Sequence, residues 1–190
     1  MLLLVCALPS AIDGVALQSK KKGSPEIFRA TARIAGSTAN AEAQVVMTID
    51  RYTPEKNLRA MEQALSTGGH AGFVDALRNA PPAGQFQFGD RTFTIKWARK
   101  REVPKGQFMT QSITLVIDAP VYFVGAGVPG AKPRAGFDVA VVQLTMDSSG
   151  VGSGVMAAAA HVKPGGPMGV EVEHYADEPV KLVLVTRSMS

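Results

Sequence analysis

The sequence predicts an α+β fold that is mostly β: an antiparallel curled sheet of about eight strands, barrel-like or a two-layer sandwich, with an inserted two-helix hairpin. Three observations carry this expectation. Apolar residues alternate with polar or small ones through residues 27–34 and 41–50, which is the period of half-buried strands. Between residues 54 and 79 the apolar spacing lengthens to that of a helix. From residue 85 the chain returns to short apolar runs separated by Gly, Pro and Asp, and continues so to its end.

Ile27-Phe-Arg-Ala-Thr-Ala-Arg-Ile34 and Ala41–Asp50 flank the turn cluster Gly36-Ser-Thr-Ala-Asn40 and read as a hairpin, with Val45, Met47 and Ile49 on one face. Thr53 stands where an N-cap belongs, and Pro54 suits the first helical position. Leu58, Met61 and Leu65 form the first helical stripe, and Gly68-Gly69 fits a left-handed end. Phe73, Val74 and Leu77 mark a second short helix, which Pro81-Pro82 stops. Each stripe needs the sheet or the other helix to cover it.

The next hairpin spans 92–118. Phe93, Ile95 and Trp97 share one face, as do Ile113, Leu115 and Ile117. Setting apolar against apolar pairs Arg99 with Gln111 and Arg101 with Met109, leaving Pro104-Lys105-Gly106 as a three-residue loop with a left-handed glycine. Gly125–Ala135 is a Gly/Pro-rich loop. Val139–Met146 is apolar on both faces and therefore central in a sheet or between layers. After the turn Asp147-Ser-Ser-Gly150 comes a strand lined by Gly152, Gly154 and Ala157–Ala160, small enough for a neighbouring layer to approach closely. Pro164-Gly-Gly-Pro167 turns the chain, and Val170–Tyr175 and Val180–Val185 are the last strands.

At 190 residues the length suits one domain, and 46% hydrophobic with 19% charged residues excludes a disordered chain. A net charge of +4 is too small to require a nucleic-acid partner. The apolar run Met1–Leu8 and the small residues up to Ala16 read as the end of a secretory signal, residues 1–16. A disordered leader with Lys20-Lys21-Lys22 follows over 17–26. One β-rich domain covers 27–190, its helical insertion at about 54–79. The expected location is the periplasm or the medium. The apolar run is shorter than the roughly 20 residues of a membrane anchor. Cys6, the single cysteine, falls in the signal, so the mature chain has no disulfide, thiolate metal site or cysteine nucleophile.

Gly125-Ala-Gly-Val-Pro-Gly130 matches GxGxxG literally, but Pro129 and Pro133 preclude the helix whose N-terminus would meet a pyrophosphate. No GxSxG elbow occurs, and Asp50, Asp118 and Asp147 sit at strand ends where turn chemistry explains them. Two candidate sets remain. Lys96, Trp97, Arg99, Lys100, Arg101 and Lys105 form a basic, aromatic-bearing stretch able to contact an anionic surface; the plainer reading is a solvated hairpin tip. His161 with Glu171 and Glu173 would share one sheet face, the one set suited to a divalent ion or acid–base work; the plainer reading is a weak cross-strand ion pair. His70 reads as a surface or capping residue, and His174 as a core-edge residue on the opposite face from His161. No cofactor is implied.

Arg51-Tyr-Thr-Pro-Glu-Lys-Asn-Leu-Arg-Ala-Met61, then Ala64-Leu-Ser-Thr-Gly-Gly69 and Ala76-Leu77, then Val170-Glu-Val-Glu-His-Tyr-Ala-Asp-Glu-Pro-Val-Lys-Leu182 mark the chain. In these segments it resembles a family of uncharacterised exported bacterial proteins, over roughly 28–187. The resemblance implies one domain and export, and no activity or site residue. The expected function is a non-enzymatic exported domain that binds a partner protein or an anionic surface. The alternative is a carrier of a small apolar ligand, held in a barrel-like cavity under a helical lid. Export argues against nucleic acid. A continuous cavity would favour the carrier, and a filled interior the binding domain.

Overall fold

The computed structural model describes residues 23–34, 41–123 and 134–189. The expected signal segment, most of the leader, the turn at 36–40 and most of the loop at 125–135 lie outside the described residues. Among the described residues, alternation in the sequence becomes nine strands: β1 (Glu26–Ile34), β2 (Ala41–Ile49), β3 (Gly84–Phe88), β4 (Arg91–Lys105), β5 (Phe108–Ile117), β6 (Val139–Met146), β7 (Val151–Pro164), β8 (Val170–Tyr175) and β9 (Val180–Met189). They run antiparallel in the order β6-β5-β4-β3-β2-β1-β9-β7-β8. A further β6–β7 pairing closes eight of them into a barrel and leaves β8 as an extra strand. The curled sheet is thus a barrel rather than a sandwich. Closure removes the free edges an open sheet would present, except at β8.

Inward-facing residues follow the pleat. Phe28, Ala30 and Ala32 of β1, Val45, Met47 and Ile49 of β2, and Ile113, Leu115 and Ile117 of β5 are all at most 2% exposed and belong to one apolar core. Each large side chain buried there stabilises the fold by roughly 1.5–3 kcal/mol. β6 is apolar on both faces for the expected reason: Val142, Leu144 and Met146 point into the barrel, while Val139 and Val141 join a second core outside it. Gly152 and Gly154 of β7 allow the expected close approach, but to β6 in the same sheet. A Cβ at these positions would lie 2.1 Å from the Thr145 carbonyl and 2.4 Å from that of Gln143.

The register of β4–β5 corrects the sequence reading. Ile95 opposes Ile117, but Trp97 opposes Val116, so Lys96 is the extra residue of a β-bulge. One added residue reverses every later side chain. Trp97 therefore faces outward into the second core, and Ala98 faces inward. Arg99 opposes Thr114 and Arg101 opposes Ser112, not Gln111 and Met109. The loop is also shorter than expected. Lys105 opposes Phe108, leaving Gly106-Gln107, with Gly106 at φ 63 as a type II′ turn requires at its first position.

The inserted segment is one helical element, α1 (Glu55–Asn79), rather than a hairpin of two separate helices. Gly69 inside it is non-helical (φ 61, ψ −157) and bends it. A Cβ on Gly72 would lie 2.9 Å from the Ala64 carbonyl, whereas eight residues of straight helix span about 12 Å. The bend lets both ends of α1 reach β4. Thr53 is not the N-cap; Pro54 is, without a side-chain bond. The Thr53 N–H donates to the Ala98 carbonyl (2.9 Å), and its Oγ1 accepts from the Ala98 N–H (2.9 Å). At the far end Lys96 Nζ donates to the Arg78 and Ala80 carbonyls at 3.1 and 2.8 Å, opposing the negative end of the helix.

β8 and β9 lie end to end along one edge of β7. Ala160–Pro164 pair with β8, and Val151–Met156 pair with β9. β6 accompanies β7 only as far as Ala160. Beyond that point β7 and β8 form a two-stranded arm that folds over the outside of the barrel. Val162 and Val170 of the arm, Leu58, Met61, Leu65, Phe73 and Leu77 of α1, and Trp97 and Val116 of the barrel make the second core.

Candidate functional site

The basic stretch does not form one exposed patch. Trp97 is fully buried, its ring 6.0 Å from that of Phe73. Arg99 is buried too. Its guanidinium donates to Glu62 Oε1 (2.6 Å), to the Met168 carbonyl of the arm (3.0 Å) and, at 3.5 Å, to Glu55 Oε1. It thereby joins β4, α1 and the arm. Lys96 caps α1, as described. Arg101 is exposed, and the side chain of Lys105 lies outside the described residues. The hairpin tip presents Val103, Phe108 and Met109 to solvent.

Lys100 belongs to a polar cluster at one end of the barrel. Strand parity puts it on the inward side with Glu26, Gln111 and Arg187. Glu26 accepts from Lys100 Nζ (2.8 Å) and from the Tyr52 hydroxyl (3.0 Å). Arg187 lies 4.0 Å from Glu26 and donates to Gln111 Oε1 (2.5 Å). Lys100 Nζ also sits 4.5 Å from the centre of the Tyr52 ring. Burial, then the Glu26 charge and the hydrogen bond to it, push the Tyr52 phenol well above its ordinary range, so it stays neutral. The cluster closes the end of the apolar core with one carboxylate held between two cations.

The second candidate set does not assemble. The strands pair with Val162 opposite Val172 and Lys163 opposite Glu171, and a bulge between His161 and Val162 then sets His161 opposite His174. Among the described residues no group of three or more His, Cys, Asp and Glu is placed to hold a metal. His161 keeps one of the expected carboxylates, with Nδ1 3.1 Å from Glu173 Oε2. Its larger contact is with His70, which is buried rather than on the surface. The two rings stack at 4.3 Å. His70 Nδ1 accepts the Val162 N–H (3.2 Å), so its proton is on Nε2, 3.4 Å from Asp138 Oδ2. His174 is exposed, its ring 6.1 Å from that of His161. Burial, then the neighbouring His161, lower the His70 pKa from 6.5, against an opposing pull from Asp138. A neutral imidazole that accepts a strand N–H ties α1 to the arm; protonation at Nδ1 would remove that bond.

A groove of about 460 Å³ runs along the other side of the arm. Its floor is the outer face of β5 and β6, with Ser112, Thr114, Gln143 and Thr145. Its wall is the arm from Gly166 to Val172, with Tyr175. Thr114 is 1% exposed, and among the described residues its Oγ1 has no hydrogen-bond partner. Nothing in the sequence points to this groove, because residues 112–114 and 170–175 meet only through the folding-over of the arm. The alternation of Ser112 and Thr114 with Ile113 marked that face as polar, and nothing marked it as covered. Comparison with protein-family models, curated proteins and solved structures gives no match to the chain.

Proposed function

We propose that the protein is an exported, non-enzymatic domain that binds a partner polypeptide through its outer surface, as the sequence and its family resemblance suggest. One observation carries this reading over the carrier: the barrel interior is filled. A side chain lining a ligand-sized void would present surface to it, yet Phe28, Met47, Phe86, Ile95, Ile113, Leu115 and Ile117 are all at 0% exposure. Glu26, Lys100 and Arg187 close one end with a charged cluster, which suits a stopper better than an apolar entrance. The recessed features sit outside the barrel, where the arm and α1 lie on it.

Native mass spectrometry on the protein from its own host tests the reading. The expected species are the free chain and the chain with a polypeptide. Stoichiometric retention of a small apolar molecule would overturn it in favour of the carrier. Export is checked in the same sample: the reading requires a mature chain lacking Cys6, and a cytoplasmic chain that begins at Met1 contradicts it.

A further inference from the structure

β8 is the strand of the sheet that barrel closure leaves without a second neighbour. It pairs with β7 along one edge, and no described strand takes the other. The β7 side of the arm faces α1, since Val162 N–H donates to His70. The free side of β8 therefore faces away from α1, towards the groove. Val170, Glu171 and Val172 in succession border that groove. Side chains of consecutive strand residues point to opposite faces, so it is the backbone edge, not one face, that forms the wall. The unpartnered, buried Thr114 Oγ1 stands on the floor.

Local charge selects among occupants. Glu171 is the charged residue that lines the groove, with Lys163 across the strand pair from it. Glu173, which contacts His161, and Asp177 and Glu178 add acidic charge nearby in a chain whose net charge is +4. Charged residues on an edge also discourage self-pairing between copies of a protein. That role explains the carboxylates alone; it does not explain a recess beside the edge with a hydroxyl lacking a partner on its floor.

We infer that this groove takes an extended, basic segment of a partner polypeptide, which adds as a strand to the free edge of β8. Main-chain hydrogen bonds to residues 170–175 would supply affinity, and Glu171 would select lysine or arginine. Thr114 and Gln143 would meet the inserted strand from below. A second copy of this chain is a poorer occupant of the edge, because two β8 edges would bring Glu171 and Glu173 against their own kind.

The inference rests on the proposed binding function and fails separately from it. A displayed library of random octapeptides is selected on the immobilised protein. The best clone is then synthesised and followed by fluorescence anisotropy and by amide exchange. The expected clones are enriched in alternating Lys or Arg, and the peptide slows exchange in 170–175. Glu171→Lys should weaken binding about tenfold, the loss of one charge-assisted bond. Methylating alternate peptide nitrogens on the pairing edge should abolish binding. Thr114→Val should leave the fold intact, since its hydroxyl has no partner among the described residues, and weaken binding severalfold. Selection without basic enrichment, or protection elsewhere, overturns the inference. So does binding indifferent to both Glu171→Lys and methylation, or β8 protected by self-association alone. If the host protein carries a polypeptide whose footprint avoids β8, this inference falls while the binding function stands. A retained small molecule removes both.

Discussion

The molecule has two apolar cores, and they are built on different terms. The core inside the barrel is enclosed by paired strands, and its described members are apolar side chains, with the Glu26 cluster at its end. The core outside is enclosed by α1 and the arm, and polar groups hold it at its margins: Arg99 between β4, α1 and Met168, and His70 between α1 and Val162. The inner core depends on volume and pairing alone. The outer one depends also on charge state and on bonds that a shift of the arm would break. A scaffold and an adaptable layer are thus separated in one small domain.

Truncation inside the barrel should have the largest effect. Phe86→Ala is expected to cost about 3–5 kcal/mol in denaturant unfolding, because closed strands cannot collapse into the void. Leu77→Ala in the outer core should cost about 2–3 kcal/mol, since α1 can settle against the barrel. A larger loss at Leu77 than at Phe86 would break the ranking. Glu62→Gln leaves the buried Arg99 without its shortest carboxylate contact and should cost about 1.5–3 kcal/mol, measured in the same way.

Acid sharpens the comparison. The His70 pKa is lowered in the folded protein, so the unfolded chain binds the proton more readily. Its contribution is complete above the unfolded value of 6.5 and is lost as pH falls through 6.5 towards the lower folded pKa. Unfolding curves from pH 7.5 to 5 should show that loss. In His70→Asn it should disappear from the slope, though the variant is less stable throughout. The smallest effect lies at the β4–β5 turn. Gly106→Val should cost about 1 kcal/mol or more, and Gly106→Asn less, since asparagine tolerates a positive φ.

Alternation made the strands legible, and with them the inner core: Val45, Met47 and Ile49 face inward as the sequence implies. Bulges hid the rest. The extra residue at Lys96 reversed Trp97 and the cations after it, and a local pattern cannot register an insertion whose side chain bonds the distant end of α1. At His161 the register itself moved by two residues, setting Val162 against Val172, and a bulge beside His161 added one more, so that His174 rather than Glu171 became its neighbour. Gly68-Gly69 correctly marked a break with positive φ, but not that the structure forms one bent element across it. His70 gave no sign of burial, because its partner N–H is contributed by Val162, ninety-two residues on.

Amide exchange followed by mass spectrometry at pH 7 and pH 5.5, corrected for intrinsic rates, tests the separation of scaffold and adaptable layer most directly. The account predicts two tiers: β1, β2, β5 and β9 exchanging only by global unfolding, and residues 55–79 and 160–175 by cheaper openings that grow at the lower pH. Equal protection in both regions at both pH values, or a barrel that opens before α1 and the arm, would contradict it.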